Sequence, residues 1–140
     1  VILDPKGKGA SKFIGSHIQQ LHRPENIFIL SRQEKLEAWQ PHGVHLIPWN
    51  SNPVGWEVAF KKLYEHQICS LYVEGGAYAV SQLLQFKRVQ KLYLYQAPKI
   101  IGYGKCWADY YKIHNVADAI TLRRWETQSL GTDHLNIGWF

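Results

Sequence analysis

Leu71-Tyr72-Val73-Glu74-Gly75-Gly76-Ala77 is the stretch on which the fold turns. Residues 68–73 form an apolar run of strand length, and Val80, Leu83 and Leu84 recur at helical spacing within residues 77–86. Residues 91–97, rich in Leu and Tyr and ended by Pro98, read as the next strand. Strand, Gly-Gly turn, helix and strand make a β-α-β unit, which right-handed crossovers build into a parallel sheet. Two adjacent glycines let the main chain pass close to a ligand in conformations closed to other residues. The free N–H groups opening the following helix, at its positive dipole end, suit a phosphate or pyrophosphate. A tight strand-to-helix turn without a ligand fits the same spacing.

The same alternation extends outward. Ile27-Phe28-Ile29-Leu30 is an uninterrupted apolar run, the pattern of a strand buried on both faces, and it ends at Ser31-Arg32. Residues 34–39 suit a short helix, and residues 44–47 a short strand stopped by Pro48. Asn52-Pro53 offers a helix cap with proline at the first helical position. Trp56, Ala59, Phe60 and Leu63 then mark one apolar helix face, with Trp56 in the core. Val1-Ile2-Leu3 reads as a strand entering the turn Asp4-Pro5-Lys6-Gly7. Beyond Gly102 the pattern changes to two strands, residues 119–125 and 134–138, joined through Ser129-Leu130-Gly131-Thr132 as an antiparallel pair. The expectation is an α/β fold, with residues 1–140 as one domain.

Composition narrows the function classes. With 46% hydrophobic and 14% aromatic residues among 140, the chain can build a core and is not a disordered segment. No run approaches the roughly 18–20 apolar residues of a membrane-spanning helix. The chain starts at Val1 and has no Met, so its lack of a targeting segment carries little weight. Sixteen Lys and Arg against eleven Asp and Glu give +5, but pairs such as Lys61-Lys62, Lys87-Arg88 and Arg123-Arg124 are scattered, as on solvated faces. A nucleic-acid-binding module therefore has only net charge in its favour. Cys69 and Cys106 form no disulfide framework and are expected as reduced, buried or half-buried thiols. His42 and His45 make an HxxH pair that no further Cys or carboxylate completes into a metal site.

Val73-Glu74-Gly75-Gly76, then a helix, then Ala97-Pro98-Lys99-Ile100-Ile101-Gly102 after the next strand resembles the C-terminal reductase domain of bacterial riboflavin-biosynthesis deaminase-reductases. That family carries similar V-E-G-G and A-P-K-x-x-G motifs. Val1-Ile2-Leu3-Asp4-Pro5-Lys6-Gly7-Lys8 is similar to its V-V-L-D-x-x-x-R/K strand and turn. Leu130-Gly131-Thr132-Asp133-His134-Leu135-Asn136-Ile137-Gly138 is similar to its closing L-G-x-D-L-x-L-x-G hairpin. The resemblance runs in order through nearly the whole chain.

The resemblance implies a dihydrofolate-reductase-like fold: a twisted, mainly parallel sheet flanked by helices, with an antiparallel C-terminal strand pair. It implies NADPH-dependent reduction of the ribosyl group of 5-amino-6-(5-phosphoribosylamino)uracil to a ribityl group, in the cytoplasm. The cofactor would carry the hydride chemistry and the protein would position it. On that reading Gly75, Gly76 and Ala77 line the NADPH pyrophosphate, and Ser31 and Arg32 receive the adenosine 2′-phosphate, whose dianion suits a guanidinium. Glu74 faces the phosphorylated pyrimidine substrate; no residue is assigned a catalytic role. The resemblance also implies a homodimer and, in the full-length protein, a fused deaminase domain. The family's upstream strand, helix and T-x-x-x-D-x-P-x-L segment are not found here, nor is the deaminase signature of H-x-E with P-C-x-x-C. The 140 residues are therefore expected to be the C-terminal portion of the domain, holding half a site. The rival readings are another dihydrofolate-reductase-like oxidoreductase and a non-catalytic fragment retaining fold and dimer contacts.

Overall fold

A computed structural model describes residues 1–111 and 113–140 of the chain. They form two compact units, Val1–Tyr72 and Val73–Phe140. The class is the mixed α/β one expected.

The first unit is built on a parallel sheet of three strands, β1 (Ile2–Leu3), β2 (Phe28–Ser31) and β3 (His45–Pro48), in the order β1-β2-β3. β2 lies in the middle with all four residues buried, which is why its sequence shows no polar alternation. Ile29 pairs with Ile2 on one side and Leu46 on the other. One face of the sheet is covered by Ala10, Phe13 and Trp39, which pack with Ile27 and Ile29. Phe13 meets the Trp39 ring edge-on at 5.4 Å. Trp39 belongs to a 3-10 helix, Gln33–His42, longer than the short helix expected there and closed by Gly43 in the left-handed region at φ 66°. A short α1 (His17–Leu21) starts at Ser16, whose hydroxyl accepts from the Gln19 N–H.

Helix α2 (Pro53–Glu65) begins as its sequence requires: Pro53 is the first helical residue and the Asn52 side chain accepts from the Gly55 N–H at 2.7 Å. Trp56, Ala59 and Leu63 are buried along one stripe, and the helix packs against β3. His66, just past its end, meets Phe28 of β2 edge-on at 5.0 Å. The apolar run of β2 is thus buried from both sides. Each fully buried aliphatic side chain such as Ile29 contributes roughly 1.5–3 kcal/mol.

The second unit holds α3 (Ala77–Gln85) and an antiparallel sheet of β4 (Lys91–Gln96), β5 (Arg124–Leu130) and β6 (Asp133–Trp139), ordered β4-β6-β5. The closing hairpin is present, but its first strand runs over Arg124–Leu130 instead of residues 119–125, and the turn is Gly131-Thr132. Gly131 has φ 64°, the left-handed conformation a two-residue hairpin turn demands. β4 pairs antiparallel with β6 along its full length. Asn136, buried in the middle strand, accepts from the Thr127 hydroxyl at 2.8 Å and donates to Gln96 at 3.4 Å.

Three expectations fail. The β-α-β unit does not form: β4 joins an antiparallel sheet beside β6 instead of a parallel one. Residues 68–73 form no strand: periodicity supplies propensity, but a strand exists only where its N–H and C=O groups enter a ladder, and here they enter none among the described residues. Both cysteines are exposed instead of buried, since Cys69 falls in that unpaired stretch and Cys106 in an exposed loop.

Candidate functional site

In the second unit the chain enters α3 at Gly76, the N-cap residue, with φ −70° and ψ 168°. Neither Gly75 nor Gly76 has a positive φ, so the conformational freedom expected of the pair is not what places them there. At Gly75 the reason is a close approach: a Cβ would stand 3.0 Å from the Ala79 Cβ. At Gly76 a Cβ would meet nothing within 4 Å. The missing side chain there leaves the helix end open, and glycine supplies no cap of its own.

The first intrahelical hydrogen bond runs from the Val80 N–H to the Gly76 carbonyl at 3.3 Å. The N–H groups of Ala77, Tyr78 and Ala79 precede it, and a helix offers its first N–H groups no internal acceptor. They carry the positive end of the helix dipole. Gly76, Ala77 and Tyr78 line an open cavity of about 320 Å³ whose other wall is Lys105, Asp109 and Tyr110. Tyr110 meets Tyr78 edge-on at 5.5 Å, and its N–H donates to the buried Ser81 hydroxyl at 3.1 Å. The expected residues Gly76 and Ala77 are therefore brought together with a lysine, a carboxylate and two phenols that the sequence reading missed. Residues 102–111 show no periodicity, so nothing in the sequence marks Lys105 or Tyr110 as neighbours of the Gly-Gly turn. Tyr78 was within reach, being the second residue of the expected helix.

The residues present fit a phosphate group. Uncapped N–H groups, an ammonium and space at Gly76 are the donor set a phosphodiester needs. Asp109 supplies an acceptor, which suits the hydroxyls of a neighbouring sugar. Glu74 is exposed in the irregular segment before the helix. Lys99 is exposed too, and Gly102 of the same segment adopts φ 81°, a left-handed conformation that side chains oppose.

In the first unit the strand ends are organised by Asp4. Its carboxylate accepts from the Lys8 N–H at 3.1 Å, the Gly9 N–H at 2.8 Å and the Trp39 indole at 3.0 Å. Its backbone carbonyl accepts from the Ser31 hydroxyl at 2.6 Å. Ser31 is fully buried and its one O–H donor is committed to that bond, leaving it no proton to offer a phosphate. Arg32, the next residue, is exposed and presents its guanidinium to solvent. His42 and His45 face different surroundings: His42 packs edge-on against Phe13 and Trp39, whereas His45 stacks on Phe28 and lies beside His66. Among the described residues no three His, Cys, Asp or Glu side chains are grouped to hold a metal, and no helix is long and apolar enough to cross a membrane.

Residues 5–135 match the family model described as the RibD C-terminal domain. No curated protein sequence matches the chain. Among solved structures, RibD from Acinetobacter baumannii in one crystal form aligns with a TM-score of 0.73 and 20% identity, over 99% of this chain and 36% of that one. A diaminohydroxyphosphoribosylaminopyrimidine deaminase/5-amino-6-(5-phosphoribosylamino)uracil reductase from Thermotoga maritima aligns at 0.74 and 22%, with the same coverage. A pyrimidine reductase-like protein from Corynebacterium diphtheriae aligns at 0.64 and 18%, over 98% of this chain and 58% of that one. The chain thus spans about a third of the RibD chains it matches. At these identities the structural likeness speaks for the fold.

Proposed function

Because the chain belongs to the RibD C-terminal domain family, we propose that it reduces the ribosyl group of 5-amino-6-(5-phosphoribosylamino)uracil to the ribitylamino product, using NADPH. The observation that carries this reading is the family match over residues 5–135, joined to a helix N-terminus left open at Gly76 beside Lys105. NADPH, when bound, supplies the hydride that reduces the sugar C1′. The chain's own contribution is binding and orientation. The N–H groups of Ala77, Tyr78 and Ala79 hold the pyrophosphate at the point where Gly75 and Gly76 keep side chains out of the way. Arg32 takes the adenosine 2′-phosphate; the neighbouring Ser31, tied to Asp4, fixes the main chain from which Arg32 projects. Glu74 accepts hydrogen bonds from the phosphorylated pyrimidine. In this reading the protein is cytoplasmic, works as a homodimer and carries a deaminase domain on the same chain; the Thermotoga relative is named for both activities, deaminase and reductase.

The test is turnover. The purified protein is mixed with NADPH and 5-amino-6-(5-phosphoribosylamino)uracil, and NADPH loss is followed by absorbance while the product is weighed by mass spectrometry. The expected product is heavier than the substrate by one H2. A protein that binds both ligands and oxidises no NADPH would contradict the proposal. Faster NADPH oxidation with a pterin than with the phosphoribosylaminouracil would move the chain to another substrate within the same fold.

A further inference from the structure

Ser81 has no local reason to be where it is. It sits in the middle of α3, fully buried, where serine has no advantage over alanine as a helix former. A buried hydroxyl is costly unless it is hydrogen-bonded, and the bond it makes is to another segment: the Tyr110 N–H, 29 residues further on, donates to its Oγ at 3.1 Å. Residues four apart lie on one face of a helix, so Ser81 stands just over one turn, about 6 Å, below Ala77 on the face that Ala77 occupies. The second tie is the edge-on contact between Tyr110 and Tyr78. These ties hold residues 98–111, otherwise almost wholly exposed, along α3 so that Lys105 and Asp109 form the far wall of the cavity at Gly76 and Ala77.

We infer that Ser81 is a positioning residue: its hydroxyl fastens the strap of residues 98–111 to α3 and thereby holds Lys105 against the phosphate-binding end of the helix. The inference rests on the reading of that end as a dinucleotide pyrophosphate site. Ser81 itself touches no ligand. It acts through the Tyr110 main chain, and what it controls is the placement of Lys105 in the cavity wall.

The experiment separates the two claims. Limited trypsin digestion of the purified protein reads how firmly the strap is held, through the cleavage rate after Lys105. Ser81→Ala should raise that rate about 3- to 10-fold, the range a single neutral hydrogen bond supports, and weaken NADPH by a similar factor. Ser81→Thr, which keeps the hydroxyl, should cleave and bind more like wild type than Ser81→Ala does. Tyr110→Phe, which keeps both the ring and the N–H, should cleave at the wild-type rate. Unchanged cleavage in Ser81→Ala would overturn the fastening. Faster cleavage with wild-type NADPH affinity, in a protein whose affinity Gly76→Val abolishes, would reduce Ser81 to a structural residue and overturn the inference while leaving the site in place. NADPH binding that Gly76→Val leaves untouched would overturn the site, whatever the cleavage rates.

Discussion

The Trp39 indole donates to the Asp4 carboxylate at 3.0 Å, joining residues 35 apart in sequence. Trp39 is 1% exposed, so this bond decides whether its N–H is satisfied. The same carboxylate holds the Lys8 and Gly9 N–H groups, making Asp4 the fixed point between the end of β1 and the glycine-rich turn after it. Asp4→Ala should therefore lower stability by about 1–3 kcal/mol or more, because it strands a buried donor. Urea unfolding checks this.

At the start of α2, the Asn52 side chain accepts from Gly55, and a Cβ on Gly55 would collide with the Asn50 carbonyl oxygen. Asn52→Ala should cost about 1 kcal/mol, the usual worth of an N-cap. Gly55→Ala should cost more than Asn52→Ala, because the atom it strikes is backbone. Thermal unfolding of the two variants should rank them in that order.

In the second unit, Asn136 links Thr127 of β5 to Gln96 of β4 across the middle strand. Asn136→Ala should destabilise by about 1–3 kcal/mol and should speed amide exchange in β4 and β5 alike. Exchange that changes in one edge strand alone would show that the amide does not serve both.

Arg32 and Ser31 read as a pair in the sequence, and their surroundings separate them. Arg32→Ala should weaken NADPH by about 10-fold or more while changing NADH little, since only the former carries the 2′-phosphate. Ser31→Ala should instead lower stability by about 1 kcal/mol through the loss of its bond to Asp4, with little preference between the two dinucleotides. Calorimetric titration with both nucleotides distinguishes the outcomes.

What was legible in the sequence was what local patterning dictates. Asn52-Pro53 announced α2, the unbroken run at Ile27 to Leu30 announced a strand covered on both faces, and Val80, Leu83 and Leu84 announced α3. Contacts across long separations were not legible. Nothing near Asp4 points to Trp39, and nothing near Ser81 points to Tyr110. Residues 68–73 show the reverse failure: strand-like residues without a ladder to join. The Gly-Gly turn stands where its spacing puts it, for a partly different reason: close packing on Ala79 and open space, not a left-handed backbone.

The central claim is that the open end of α3 receives the cofactor's pyrophosphate. Calorimetric titration of the purified protein with NADPH, beside Gly76→Val, tests it most directly. Valine at the N-cap would fill the space where a Cβ now meets no atom within 4 Å, and should abolish measurable binding while leaving the thermal midpoint nearly unchanged. Equal NADPH affinity in Gly76→Val and wild type would contradict the account.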